Sequence, residues 1–142
     1  MKLLAMTKME FRPVVIDSSV ILAIFLREPE RESFLEILLG PGPRSISVAS
    51  VLESAMVLES KRGGEAAKSL DIFLNQMGIE IIPFDLHQLE LARSAWKQYG
   101  KGRHPAGLNF GDCICYALAR FLHEPLLAKG HDFAKTDMRL VV

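Results

Sequence analysis

The chain is poor in cysteine and tryptophan, with two of the first and one of the second among 142 residues. Cys113 and Cys115, at i and i+2, are too few for the disulfide framework of a small secreted domain and lack the paired spacing of a zinc knuckle. They read as small core thiols in a reducing cytoplasm. An excess of charge is missing too, since 17 Lys and Arg meet 17 Asp and Glu. With the summed field near zero, any contact with nucleic acid or a membrane has to come from a local patch. No apolar run reaches the roughly 20 residues that cross a bilayer. The first residues are broken by Lys8, Glu10 and Arg12 before a signal-peptide core could form. Residues 1–12 are thus expected to be an N-terminal extension and residues 13–142 one cytoplasmic domain.

What is present is apolar material, 49% of the chain, enough for the core of one domain of ordinary size. It is distributed in short β-rich runs that alternate with longer helical patterns, the mark of a parallel sheet crossed by helices. Strands are predicted over 13–16, 45–48, 79–82 and 126–128, with a fifth over 140–142. Helices are predicted over 18–26, 30–39, 49–62, 65–77, 85–99 and 109–123, punctuated by the Gly40–Pro43 segment, Gly63 with Gly64, and Pro83. In the third helix Leu52, Ala55, Met56 and Leu58 recur at helical spacing. The very apolar first helical pair, with Phe25, Phe34, Leu38 and Leu39, is expected to serve core packing.

In a sheet of this kind, strand C-termini and helix N-termini share one edge, where ligands bind. Asp17 ends the first strand, Glu53 follows the second, Asp112 opens the helix before the fourth, and Asp132 follows the fourth. Each acid has an ordinary structural explanation. Asp17 or Ser18 could cap a helix, Ser50 with Glu53 matches a capping box, and Asn109 with Asp112 resembles its aspartate counterpart. Position on the edge is not selective either, because Asp85 shares it.

The surroundings of these acids carry more. Val14-Val15-Ile16-Asp17 runs into Ser18 and Ser19; Leu108-Asn109-Phe110-Gly111-Asp112 precedes a helix of small and apolar residues; Leu126 to Phe133 is followed by Thr136 and Asp137. In this order the chain resembles the PIN domain, and within it the VapC-type toxin ribonucleases, over residues 13–142. The resemblance implies a three-layer α/β/α sandwich with a mainly parallel, five-stranded sheet. It implies an acidic quartet of Asp17, Glu53, Asp112 and Asp132, supported by the hydroxyls of Ser19 and Thr136. Asp137 is either an extra acid or a competitor of Asp132 for the fourth place.

Converging carboxylates cannot all stay ionised without a counter-charge, and a divalent cation removes that conflict. All-oxygen ligands suit Mg²⁺ or Mn²⁺, and only His131 of the four histidines lies where it could reach such a site. The resemblance therefore implies a metal-dependent endoribonuclease that leaves 5′-phosphate and 3′-hydroxyl ends. It also implies a homodimer and a VapB-like antitoxin whose tail lies over the groove. Phosphate-binding groups have to come from elsewhere. Arg93, Lys97, Lys101 and Arg103 lie in a span without acids and form the candidate RNA-binding patch, with Tyr99 as a possible stacking platform. Two other readings stand beside this one: a non-catalytic PIN-like scaffold for RNA or protein, and a haloacid-dehalogenase-like phosphatase. The phosphatase would want a second aspartate where Ser19 stands.

Overall fold

The computed structural model describes residues 12–141. Strand β1 (Val14–Ile16) is followed by helices α1 (Ser18–Phe25) and α2 (Arg31–Leu39), β2 (Arg44–Ser47), α3 (Val48–Arg62), α4 (Gly64–Gln76) and β3 (Ile79–Ile82). Helices α5 (Leu86–Tyr99) and α6 (Phe110–Leu122), β4 (Leu126–Leu127) and a 3₁₀ turn (Phe133–Lys135) complete the order. All strand pairs are parallel, in the spatial order β3-β2-β1-β4.

Alternation along β1 sorts the core into two layers. Val14 and Ile16 join the cluster built with α1–α4, which includes Ile21, Leu58 and Leu70, whereas Val15 joins the cluster built with α5 and α6. The sheet therefore lies between helices on both faces, as a three-layer sandwich. β1 is also where the winding reverses, because β2 and β3 extend to one side of it and β4 to the other. A crevice opens at the C-terminal end of the strand at such a reversal.

The expected five-stranded sheet has four strands among the described residues. The segment predicted as the fifth makes one parallel bridge, Leu126 to Leu140, held by Leu126 N–H on Arg139 O and Val141 N–H on Leu126 O, both 2.9 Å. Val142, like residues 1–11, lies outside the described residues. The Gly63-Gly64 break stops α3 and restarts α4, with Gly63 at φ 87°.

Helix α3 turns differently from its apolar pattern. Ser50, Ser54 and Leu58 face inward, and Leu52 and Met56 stand 62% and 63% exposed. Small serines permit close approach, and the Ser54 hydroxyl donates to Ser50 O at 2.8 Å. Leu39, expected in the core, is exposed as well, while Phe34 and Leu38 are buried.

Candidate active site

Asp17 sits at the reversal point. Its N–H donates to Leu127 O at 3.0 Å, which ties it to β4, and its carboxylate caps α1 by accepting the Ser19 N–H at 3.1 Å. The side chain is buried. Burial pushes its pKa up; hydrogen bonds from Ser19 and Cys115 pull it back, and the charge of Glu53 raises it further.

Glu53 projects from the second turn of α3. The Ser50–Glu53 capping box does not form, because the helix starts earlier and Ser47 is its cap, accepting from Ala49 N–H at 3.2 Å. Freed from that duty, Glu53 Oε1 accepts the Ser18 hydroxyl at 2.7 Å across 35 residues of sequence. Gly111 lets α6 come up against it: a Cβ at that position would lie 2.6 Å from Glu53 Oε2.

Asp112 does form its capping box. Its Oδ2 accepts the Asn109 N–H at 3.0 Å, and its own N–H donates to Asn109 Oδ1 at 2.9 Å. The carboxyl is nevertheless pushed up to about 6, first by burial and then by the charges of Asp17, Asp132 and Glu53, against the pull of the Asn109 N–H. Acids from three distant segments therefore bear on Asp112, and Glu53 bears on Asp17 as well. Asp132, exposed at the start of the 3₁₀ turn, joins the cluster through its charge on Asp112.

The remaining candidates are placed as follows. Ser19 Oγ accepts the Lys129 N–H at 2.9 Å and so latches the loop carrying Asp132 onto α1. Thr136 Oγ1 donates to Phe133 O at 2.6 Å and accepts Met138 N–H at 3.1 Å, which shapes its own turn. Asp137 is engaged elsewhere, by the Tyr116 hydroxyl at 2.6 Å and Arg120 at 2.7 Å. Arg93, Lys97 and Arg103 line one groove, with the Arg103 guanidinium 4.1 Å above the Trp96 ring; Lys101 is exposed outside that lining. Tyr99, considered for stacking, is buried against Tyr116 and His104 and offers no open face. Cys113 and Cys115 are free, buried thiols, as expected. Ser18, Phe110 and Gly111 stand in the sequence motifs without a role of their own at the site, and Trp96 is not among the candidates at all. Adjacency to Asp17 was the signal for Ser18, and adjacency to Asp112 the signal for Phe110 and Gly111.

The donor set is all oxygen. Among the described residues, no Lys, Arg or His forms a salt bridge with Asp17, Glu53, Asp112 or Asp132. Lys129, close in sequence to Asp132, is tied to Glu28 at 3.0 Å instead. Among the described residues no three His, Cys, Asp or Glu side chains are grouped closely enough to hold a metal ion between them. Carboxylate oxygens are the donor chemistry that hard cations such as Mg²⁺ take, in place of the His and Cys of a zinc site.

A parallel α/β/α sandwich with a carboxylate cluster at its winding reversal is the class of protein these observations define. The PIN domain family model matches residues 14–138, and the chain belongs to that family. It is 44% identical to Ribonuclease VapC of Mycolicibacterium smegmatis, over 90% of this chain and 99% of that protein. It is 41% identical to Ribonuclease VapC30 of Mycobacterium tuberculosis, over 90% and 98%. The fold is shared with solved structures. Mycobacterium tuberculosis VapC20, described as a sarcin-ricin loop cleaving toxin, matches with a TM-score of 0.74 at 17% identity, over 90% of this chain and 98% of that one. VapBC2 of Rickettsia felis, bound to a promoter DNA fragment, matches at 0.67 and 19%, over 91% and 97%.

Proposed function

We propose that the chain is a Mg²⁺- or Mn²⁺-dependent endoribonuclease, the toxin of a type II toxin–antitoxin pair. The observation that carries this is the buried Asp17 at the sheet's reversal point, with the charge of Glu53 acting on it and those of Asp17, Glu53 and Asp132 on Asp112, and no salt bridge to any of the four among the described residues. The names of the relatives support ribonuclease chemistry, and membership of the PIN family removes the phosphatase reading.

Asp17, Glu53, Asp112 and Asp132 would hold the cation. When bound, it would supply a nucleophilic water at neutral pH and charge neutralisation at the phosphate. The protein's own share is to keep these carboxylates in place: Ser18 aims Glu53, Asn109 orients Asp112, and the Ser19 to Lys129 latch holds the Asp132 loop. The strand's backbone, repelled by the acids, would be held by Arg93, Lys97, Lys101 and Arg103.

A VapB-like antitoxin belongs to the same proposal, supported by structural neighbours that are toxin–antitoxin complexes. So does a homodimer, whose formation would cover the outward stripe of Val48, Leu52 and Met56 on α3. A cytoplasmic setting fits the free thiols, and no helix among the described residues is long and apolar enough to cross a membrane.

The test is cleavage of single-stranded RNA by purified protein, with the ends sequenced. Cutting in Mg²⁺ or Mn²⁺ is expected to leave 5′-phosphates, to stop in EDTA, and to disappear in Asp17→Asn and Asp112→Asn. Cutting that survives EDTA and both substitutions rejects the mechanism; RNA or protein binding without any cutting leaves the scaffold reading.

A further inference from the structure

Beside the acid cluster lies a groove of about 770 Å³, bounded by α5 and the first turns of α3 and α6. Its floor is apolar and buried, with Ala92, Cys113 and Ile114. Its rim carries two large rings open to water, Trp96 at 45% and Phe110 at 81% exposure. Phe110 and Cys113 flank Gly111 and Asp112 on α6, so the groove and the acids share one turn of helix. Three cations line it, Arg93, Lys97 and Arg103, against one acid, Glu90. The Arg103 guanidinium already lies over the Trp96 ring, 4.1 Å from its centroid.

We propose that this groove is a nucleobase subsite. It receives one unstacked base of single-stranded RNA, adjacent to the phosphate cut at the acid cluster, against Phe110 and Trp96. Arg93, Lys97 and Arg103 hold the neighbouring phosphates. The inference rests on the ribonuclease reading and adds how the strand is seated. Flat aromatic rings beside cations are the combination by which single strands are held, because every base has a stacking face and every linkage a charge. A protein partner with an apolar anchor would fill the floor but has no need of three cations. The acid cluster itself repels the backbone, so the strand's attraction has to come from this side.

Trp96 is the one tryptophan of the chain and reports on the groove directly. Its fluorescence is followed while a short single-stranded RNA, or an abasic strand of equal length, is titrated in EDTA so that nothing is cut. The base-bearing strand is expected to quench Trp96, and Phe110→Ala to weaken its binding on the order of tenfold. The abasic strand should quench little and bind equally to both proteins. Phe110 is exposed, so its truncation should leave the fold intact, which circular dichroism checks. Equal quenching by both strands overturns the subsite, as does unchanged affinity in Phe110→Ala. A shift of Trp96 emission with protein concentration alone, abolished by Phe110→Ala together with dimer sedimentation, assigns the groove to a second copy and also overturns it. Cleavage is read separately in Mg²⁺. A protein that cuts RNA without base-dependent quenching loses the subsite and keeps the ribonuclease reading; one that shows the quenching but never cuts loses the ribonuclease reading alone.

Discussion

Gly111 stands directly against the Glu53 carboxylate: an added Cβ would come within 2.6 Å of Oε2 and 2.8 Å of Oε1. The contact joins the helix that carries Asp112 to the helix that carries Glu53. Gly111→Ala should therefore leave the fold intact, since the methyl meets the mobile end of a side chain and alanine favours helix by up to about 1 kcal/mol. Glu53 has to swing away and give up Ser18. Cleavage is expected to fall at least about tenfold while the melting temperature stays within a few degrees. A variant as active as wild type would show that the approach of α6 to Glu53 has no functional consequence.

Ser18→Ala removes the 2.7 Å hydrogen bond to Glu53 without disturbing the Asp17 cap on α1. A net hydrogen bond of this sort is worth about 0.5–1.5 kcal/mol, or about 2- to 13-fold. That loss should be seen in the Mg²⁺ concentration giving half-maximal cleavage, and Ser18→Thr should restore part of it. An unchanged metal requirement would remove Ser18 from the site.

Asp112 and Asp17 make the protein's stability depend on pH in an unusual direction. Their pKa values are raised by folding, Asp112 to about 6 from 3.8, so between those values the folded chain binds more protons than the unfolded one. Without metal, stability from Asp112 should rise as pH falls from 7 through 6 and level off below 3.8. Thermal melts in EDTA are expected to be higher at pH 5 than at pH 7, with the difference reduced in Asp112→Asn. At pH 7, Mg²⁺ should raise the melting temperature of the wild type more than that of the variant. A pH slope identical in both proteins would contradict the coupling.

Asp132 and Asp137 should behave oppositely. Asp137 holds Tyr116 and Arg120, so Asp137→Asn should cost about 1 kcal/mol of stability, with cleavage retained. Asp132→Asn should leave stability nearly unchanged and reduce cleavage at least about tenfold. Urea unfolding paired with cleavage assays separates the two, and the reverse pattern would exchange their roles.

The elements were legible in the chain because their signals are local. Apolar runs gave the strands that pair as β1 to β4; Asn109 with Asp112 signalled a helix start; Gly63 and Gly64 signalled a break. Local signals were also where the reading erred. Ser50 and Glu53 have the spacing of a capping box, yet the helix begins at Val48 because Ser47 takes the cap. Leu52 and Met56 have core character, yet the face with Ser50 and Ser54 packs more closely.

The amino-acid sequence by itself determined which residues become strand ends and helix starts, and hence that acids would stand at those positions, because caps and periodicity act over a few neighbours. Only the tertiary structure decided that β1 lies between β2 and β4, which puts Asp17 at the reversal of winding. It likewise paired Glu53 with Ser18, diverted Asp137 to Tyr116, and opened the groove beside Phe110. These are contacts between segments far apart along the chain, set by how two layers of helix pack on one sheet, and no local pattern encodes them.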